Sequence, residues 1–215
     1  MEEVKERPSL RDERAMVTRR RIADAARSLF RTRGYGATTL QAIADEAGVA
    51  VQTVYAVYGS KAGILGALRE TVLRQPEAEA LFEDTLNEGR ADRKLELFAR
   101  SIRRRWEDGH DVVAIHRDAG ATDPSVRAEV ERVLQTRRTG IDRLARTLEG
   151  QLTPGIDVAH ATAILDALTL PEVYAELTEV SGWSADEFES WLATSLTSQL
   201  LGAPARPGRG PNTPS

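Results

Sequence analysis

Four side chains in one short stretch have the chemistry of nucleic-acid recognition: Gln52, Thr53, Tyr55 and, six residues further on, Lys61. A glutamine amide pairs bidentately with adenine, a threonine contacts a thymine methyl or either base, and tyrosine and lysine donate to phosphate. Other chemistries find little support. The chain has no cysteine, which removes disulfide scaffolds, thiolate metal sites and thiol catalysis. His110 and His116 lie six apart, about 240° around a helix, and so cannot chelate one metal from a single face. The string His116, Arg117, Asp118 imitates a kinase catalytic loop, but no glycine-rich loop or strand pattern accompanies it. No spacing sets a cluster of acids and a histidine on one buried face, so neither an enzyme nor a metal or cofactor is expected.

The recognition residues need an element to present them, and the periodicity is helical nearly everywhere. Ile22, Ala25, Ala26, Leu29 and Phe30 form one apolar stripe on a helix that Gly34 ends. Leu40, Ile43, Ala44 and Ala47 repeat it over two turns before Gly48, and Val54, Val57 and Tyr58 begin a third short stripe. Thr38 and Gln41 have capping-box spacing, so either Thr38 or Thr39 can start the second helix. Three short helices with a glycine turn between the second and third describe a helix-turn-helix, whose last element lays its first residues against base edges in the major groove.

Beyond residue 60 the stripes lengthen: Ile64, Leu65, Leu68 and Val72; Leu95, Phe98, Ile102 and Trp106; then Val126, Val130, Val133, Leu134, Ile141, Leu144 and Leu148. Asp123 before Pro124 starts the third of these, and Asp157 caps the next. Pro171 predicts a kink or break. Ser184 and Glu187 have capping-box spacing ahead of Phe188, Trp191, Leu192, Leu196 and Leu200, with Trp183 and Phe188 placed as a hydrophobic staple. No segment alternates with period two for long enough to be a strand. The expected fold is all-α: a flexible arm over residues 1–15, a three-helix helix-turn-helix domain over 16–66, a larger helical ligand-binding and dimerisation domain over 67–201, and a disordered tail over 202–215.

Charge is divided along this plan. The whole chain of 215 residues carries −4, yet residues 14–70 hold 9 basic against 4 acidic side chains, with Arg19, Arg20 and Arg21 consecutive. A basic head on an acidic body suits a chain in which one part meets a polyanion, although three arginines in a row are also common on a solvated helix face. No run reaches the roughly 18 apolar residues of a membrane span. The charged amino terminus lacks a secretory apolar core, so no membrane association and a cytoplasmic location are expected.

Residues 19–66 resemble the DNA-binding domain of the TetR (tetracycline-repressor-like) family of bacterial transcription regulators. The resemblance rests on Ile22, Ala25, Ala26, Leu29, Phe30 and Gly34; on Gly36, Thr38, Thr39, Ile43, Ala44, Ala47, Gly48 and Val49; and on Thr53, Tyr55, Ser60, Lys61 and Leu65. It implies phosphate contacts at Thr39 and Thr38, at Tyr55 and at Lys61. It implies base reading at Val51, Gln52 and Thr53, and backbone or minor-groove contacts from Arg19 and Arg20. Two positions depart from the pattern. Ala50 stands where a serine commonly caps the recognition helix, and Val57 where a tyrosine or histidine commonly meets phosphate, with Tyr58 as its partial substitute.

The resemblance further implies a homodimer on a near-palindromic double-stranded operator, released by a small-molecule effector. The last two long helices, about 158–180 and 184–201, would pair with the partner, which puts Leu165, Leu168, Phe188, Trp191, Leu192 and Leu196 at the interface. Trp183 and Trp191 suit that interface or the inside of one subunit equally. Trp106, His110, His116 and Tyr174 are the candidate lining of an effector pocket.

Overall fold

The protein is described by a computed structural model covering residues 9–73 and 75–202. Among these residues it has eleven α-helices, one π-helical turn and no strand. The tail expected from residue 203 onward lies outside the described residues, as do residues 1–8.

Helix α1 spans Leu10–Arg33 and begins earlier than the apolar stripe suggests. Ser9 caps it in a reciprocal box with Asp12: the Asp12 amide donates to Ser9 Oγ at 3.2 Å and the Ser9 amide to Asp12 Oδ2 at the same distance. Residues 10–15, expected to be a flexible arm, are therefore helical. Their charged composition carries no apolar period, so only the cap announces the helix. Gly34 ends it at φ 82°, a conformation that a side chain strains.

Helix α2 (Leu40–Ala47) is capped by Thr39, whose hydroxyl accepts from the Ala42 amide at 3.1 Å. It closes at Gly48 in the left-handed region, φ 65° and ψ 42°. Arg21 Nη2 donates to the Ala47 carbonyl at 2.6 Å, adding a cation to the carbonyl end of α2. Helix α3 (Val51–Tyr58) starts at Ala50 without a side-chain cap. Helix α4 (Lys61–Leu73) follows after Gly59, with Ser60 Oγ accepting from the Gly63 amide at 3.0 Å.

The remaining helices are α5 (Pro76–Asn87), α6 (Ala91–Glu107), α7 (His110–Thr122), α8 (Pro124–Thr147), α9 (Val158–Leu168), α10 (Pro171–Ala175), the π-helical turn Glu176–Val180, and α11 (Ala185–Leu200). The expected punctuation is present. Asp123 Oδ1 accepts from the Ser125 amide at 3.0 Å, Asp157 accepts from His160 at 2.8 Å, Pro171 opens a new helix, and Ser184 and Glu187 form a full capping box.

Two compact units emerge, and the division is not the expected one at residue 66. One comprises residues 9–73 together with Asp111–Glu131; the other comprises Gln75–His110 with residues 132–202. In the first, Val112, Ile115, Ala119 and Val126 share one core with Ile22, Phe30, Ile43, Val54 and Ile64. Arg27 clamps Asp111 bidentately at 2.7 and 2.5 Å. In the second, α6 packs against α5 and α11, and α11 also packs against α9.

Candidate nucleic-acid interface

Helix α3 is fixed by its inner face. Val54 is wholly buried, and Val51, Val57 and Tyr58 pack partly buried against the same core. Gln52 and Tyr55 are left exposed, Tyr55 at 55%, and neither side chain has a hydrogen-bond partner among the described residues. Thr53 is half-buried. The most accessible recognition groups are thus one amide and one phenol, one turn apart on a helix whose orientation the core dictates.

Several residues expected at the interface are occupied within the fold. Thr38 is 2% exposed and its hydroxyl donates to the Gly34 carbonyl at 2.8 Å, so it turns inward and Thr39 is the cap. Its small size and hydroxyl suit a buried turn as well as a phosphate, which is why its type alone does not distinguish the two. Lys61 is half-buried: Nζ donates to the carbonyls of Tyr35 at 2.6 Å and Thr38 at 2.9 Å, and reaches Gly36 at 3.5 Å. Burial holds its ammonium below the ordinary lysine range, opposed by the charge of Asp123. The Tyr58 hydroxyl donates to the Arg19 carbonyl at 2.9 Å, and the Arg19 guanidinium lies 5.0 Å from the centre of its ring. Tyr58 therefore ties α3 to α1. Arg20 is exposed and lies 3.8 Å from Asp24 on the next turn. Val57 faces the core, which accounts for an apolar side chain at that position.

The residues that hold this arrangement include some whose roles no motif announced. The Tyr35 amide donates to Asp118 Oδ2 at 3.1 Å and its hydroxyl reaches Asp123 Oδ2 at 3.5 Å. Burial, followed by the negative charge of Asp123, pushes the phenol up to about 12. Gly63 is required by close approach, because a Cβ there would lie 2.1 Å from the Tyr58 carbonyl oxygen. Asp118 and Asp123 lie more than 80 residues from Tyr35 in the chain, beyond the reach of any local pattern.

The expected pocket residues divide between the units. Trp106, His110 and Tyr174 lie together in the second. His110 and Tyr174 rings are 5.2 Å apart, and the His110 ring nitrogens face the Trp106 carbonyl at 2.7 Å and Glu179 at 3.0 Å. The Trp106 indole donates to the Thr169 carbonyl at 3.0 Å, and Tyr174 meets Phe188 edge-on at 4.9 Å. His116 belongs instead to the first unit, buried, with Nδ1 donating to the Val112 carbonyl at 2.9 Å.

The expected dimer residues require a larger correction. Leu165, Phe188, Leu192 and Leu196 are wholly buried within the single chain, because α11 uses this face against α6 and α9. Leu168 and Trp191 are half-buried. Trp183 lies edge-on to Trp191 at 6.1 Å, and the two line an open groove of about 400 Å³ with Asp186, Glu187 and Ser190. Leu134, on the apolar stripe of α8, is 43% exposed.

No helix among the described residues is long and apolar enough to cross a membrane. Comparison with known proteins matches residues 22–68 to the family of bacterial regulatory proteins called tetR. The uncharacterized HTH-type transcriptional regulator YvkB of Bacillus subtilis (strain 168) is 37% identical over 79 residues, which span 34% of this chain and 41% of that protein. Among solved structures, NalD, the secondary repressor of the MexAB-OprM multidrug efflux pump in Pseudomonas aeruginosa, shares the fold with a TM-score of 0.65 at 22% identity, covering 88% of this chain and 98% of NalD. FadR from Bacillus subtilis, solved with stearoyl-CoA, gives a TM-score of 0.64 at 20% identity over 84% of this chain and 98% of its own. The match to the tetR family of bacterial regulatory proteins is confined to residues 22–68, the stretch that holds the amino-terminal core, the glycine-closed α2 and the outward α3.

Proposed function

We propose that the chain is a ligand-responsive transcriptional repressor, working in the cytoplasm as a homodimer on a near-palindromic double-stranded operator. The observation that carries this reading is α3 itself: Val54 is locked in the core, while Gln52 and Tyr55 project unpartnered from the opposite side. Thr39 and Arg20 are also exposed and within the same unit. A single helix of eight residues makes few base contacts. Two copies set about 34 Å apart read successive major-groove turns, and this favours a dimer.

The second unit is the proposed sensor, with Trp106, His110 and Tyr174 as its candidate aromatic cluster. That FadR was solved with stearoyl-CoA supports a small molecule as the signal. An effector releases the operator by binding better to a spacing of the two α3 helices that fits DNA poorly, which needs only a few kcal/mol of differential affinity.

An electrophoretic shift on the intergenic DNA beside the gene tests the reading: a retarded band that weakens steeply with salt supports it, and no retention at low salt refutes it. One observation favours a second reading, a scaffold of the same fold that does not read DNA. Helix α3 lacks a side-chain cap at Ala50, which leaves its first amides without the usual partner.

A further inference from the structure

We propose that the groove between Trp183 and Trp191 binds a small organic cation, of the quaternary ammonium kind, through the two indoles and the carboxylates of Asp186 and Glu187. The site goes beyond the function proposed above and needs neither operator binding nor the cluster of Trp106, His110 and Tyr174. It follows from the way α11 starts. Gly182, at φ 74°, turns the chain out of the π-helical turn, the Trp183 amide donates to the Leu177 carbonyl at 2.9 Å, and Ser184 caps the helix. Trp183 is thereby set just ahead of α11 and Trp191 two turns into it, with ring centres 6.1 Å apart and planes at 79°. Rings set nearly perpendicular make two walls of a corner. Trp191 rests in turn on the wholly buried Phe188, 6.0 Å away, so its wall is backed by the core.

Asp186, Glu187 and Ser190 complete the lining of this groove of about 400 Å³, a size within the usual range of small-molecule sites. No lysine or arginine is among the lining residues described. Asp186 meets Arg103 through Oδ1 at 3.1 Å, and Glu187 Oε2 accepts from the Ser184 amide and hydroxyl, both at 2.8 Å. The second oxygen of each carboxylate has no partner among the described residues. Arg103 is itself shared with Glu107 at 3.6 Å and Glu189 at 3.7 Å, and Arg100 meets Glu189 at 3.2 Å. With Glu187, four acids stand against two guanidinium groups at this end of α11.

Acids in a first turn suit the helix dipole, but the dipole does not call for two half-buried indoles facing the same open groove. Indole faces and carboxylates attract the same kind of ligand, because the ring quadrupole draws a cation to the face. A compact ammonium keeps its water in so open a place. An alkylated cation is less hydrated, and its methyl groups cover apolar ring surface as they approach.

The test uses the full chain with choline and with neutral dimethylbutanol, in which carbon replaces the ammonium nitrogen. Each gives one sharp methyl signal in saturation-transfer NMR. Choline is expected to bind saturably and about fivefold or more tighter than its neutral counterpart. Its affinity falls about fivefold or more in Trp191→Leu and in Asp186→Asn combined with Glu187→Gln. The acid variant melts close to the parent, since glutamine preserves the cap. Equal binding of the two probes, no saturable choline signal, or undiminished affinity in the acid variant overturns the proposal. Sedimentation of the same samples separates a ligand from a second copy of the chain. Choline binding with unchanged sedimentation supports the site. A parent dimer that Trp191→Leu converts to monomers, without choline binding, assigns the groove to a contact between copies and overturns it.

Discussion

The Lys61 ammonium lies 4.2 Å from the centre of the Tyr35 ring and donates to the Tyr35 carbonyl at 2.6 Å. With the Thr38 carbonyl also in reach, this lysine gathers the loop that ends at the Thr39 cap. Its place in the fold is to set where α2 begins.

That role separates two outcomes for Lys61→Met. If the lysine positions the loop, operator affinity drops on every sequence while the slope of log affinity against log salt stays as in the parent. A direct phosphate contact would instead lower the slope by about 0.9. The unchanged slope is expected, along with a stability loss of about 1–3 kcal/mol for the carbonyls left unpaired.

Gln52→Ala should relax preference at one base pair by about 1–3 kcal/mol, read from binding to a set of singly substituted operators. Tyr55→Phe should weaken all of them alike. If Gln52→Ala leaves the preference profile intact, α3 does not read bases through this amide.

Gly63→Ala is expected to be costly. The new methyl meets the Tyr58 carbonyl, which is backbone and cannot swing aside. Overpacking of this kind costs about 1–3 kcal/mol, so thermal melts should fall well below the parent. An unchanged melting temperature would show that α4 can retreat from α3 at no cost.

Ala50→Ser should stabilise the protein by about 1 kcal/mol, because φ −68° and ψ 144° already suit a capping residue. Urea unfolding measures the gain. Tighter operator binding in the same variant would link α3 fraying to recognition.

His116 makes stability depend on pH. Burial holds its imidazole below the ordinary 6.5, as does the charge of Arg69; the bond to the Val112 carbonyl and the charge of Glu129 act the other way. The unfolded chain takes up this proton at higher pH than the folded one. Stability is therefore full above pH 6.5 and declines as pH falls below it, by no more than about 1.4 kcal/mol per pH unit for one proton. Urea unfolding at pH 7.5 and 5.5 should show a smaller difference in His116→Gln than in the parent. An equal difference would assign the effect to other groups.

Much of this architecture is legible in the sequence because apolar stripes, caps and turn glycines are local signals. The stripe from Ile22 to Phe30, the Gly48 turn, the Asp123 and Asp157 caps and the Pro171 break need only their neighbours in the chain. The fate of polar side chains is less legible. Periodicity places Thr38, Tyr58 and Lys61 on a helix or turn, but not against a particular carbonyl. Nor does an apolar stripe reveal whether it meets its own chain or another: Leu165, Phe188, Leu192 and Leu196 have the composition of an interface and form an internal core. The unit that joins residues 9–73 to Asp111–Glu131 depends on contacts such as Arg27 with Asp111, which no local pattern encodes.

The discontinuity of that unit limits how the protein can be cut. A fragment ending near residue 74 keeps every residue matched to the family, yet it discards Val112, Ile115, Ala119 and Val126 from the core and Asp118 and Asp123 from Tyr35. Recognition and autonomous folding therefore have different boundaries in this chain. A minimal, independently stable reader would have to carry the α7 segment with it, joined by a designed connection across the excised residues.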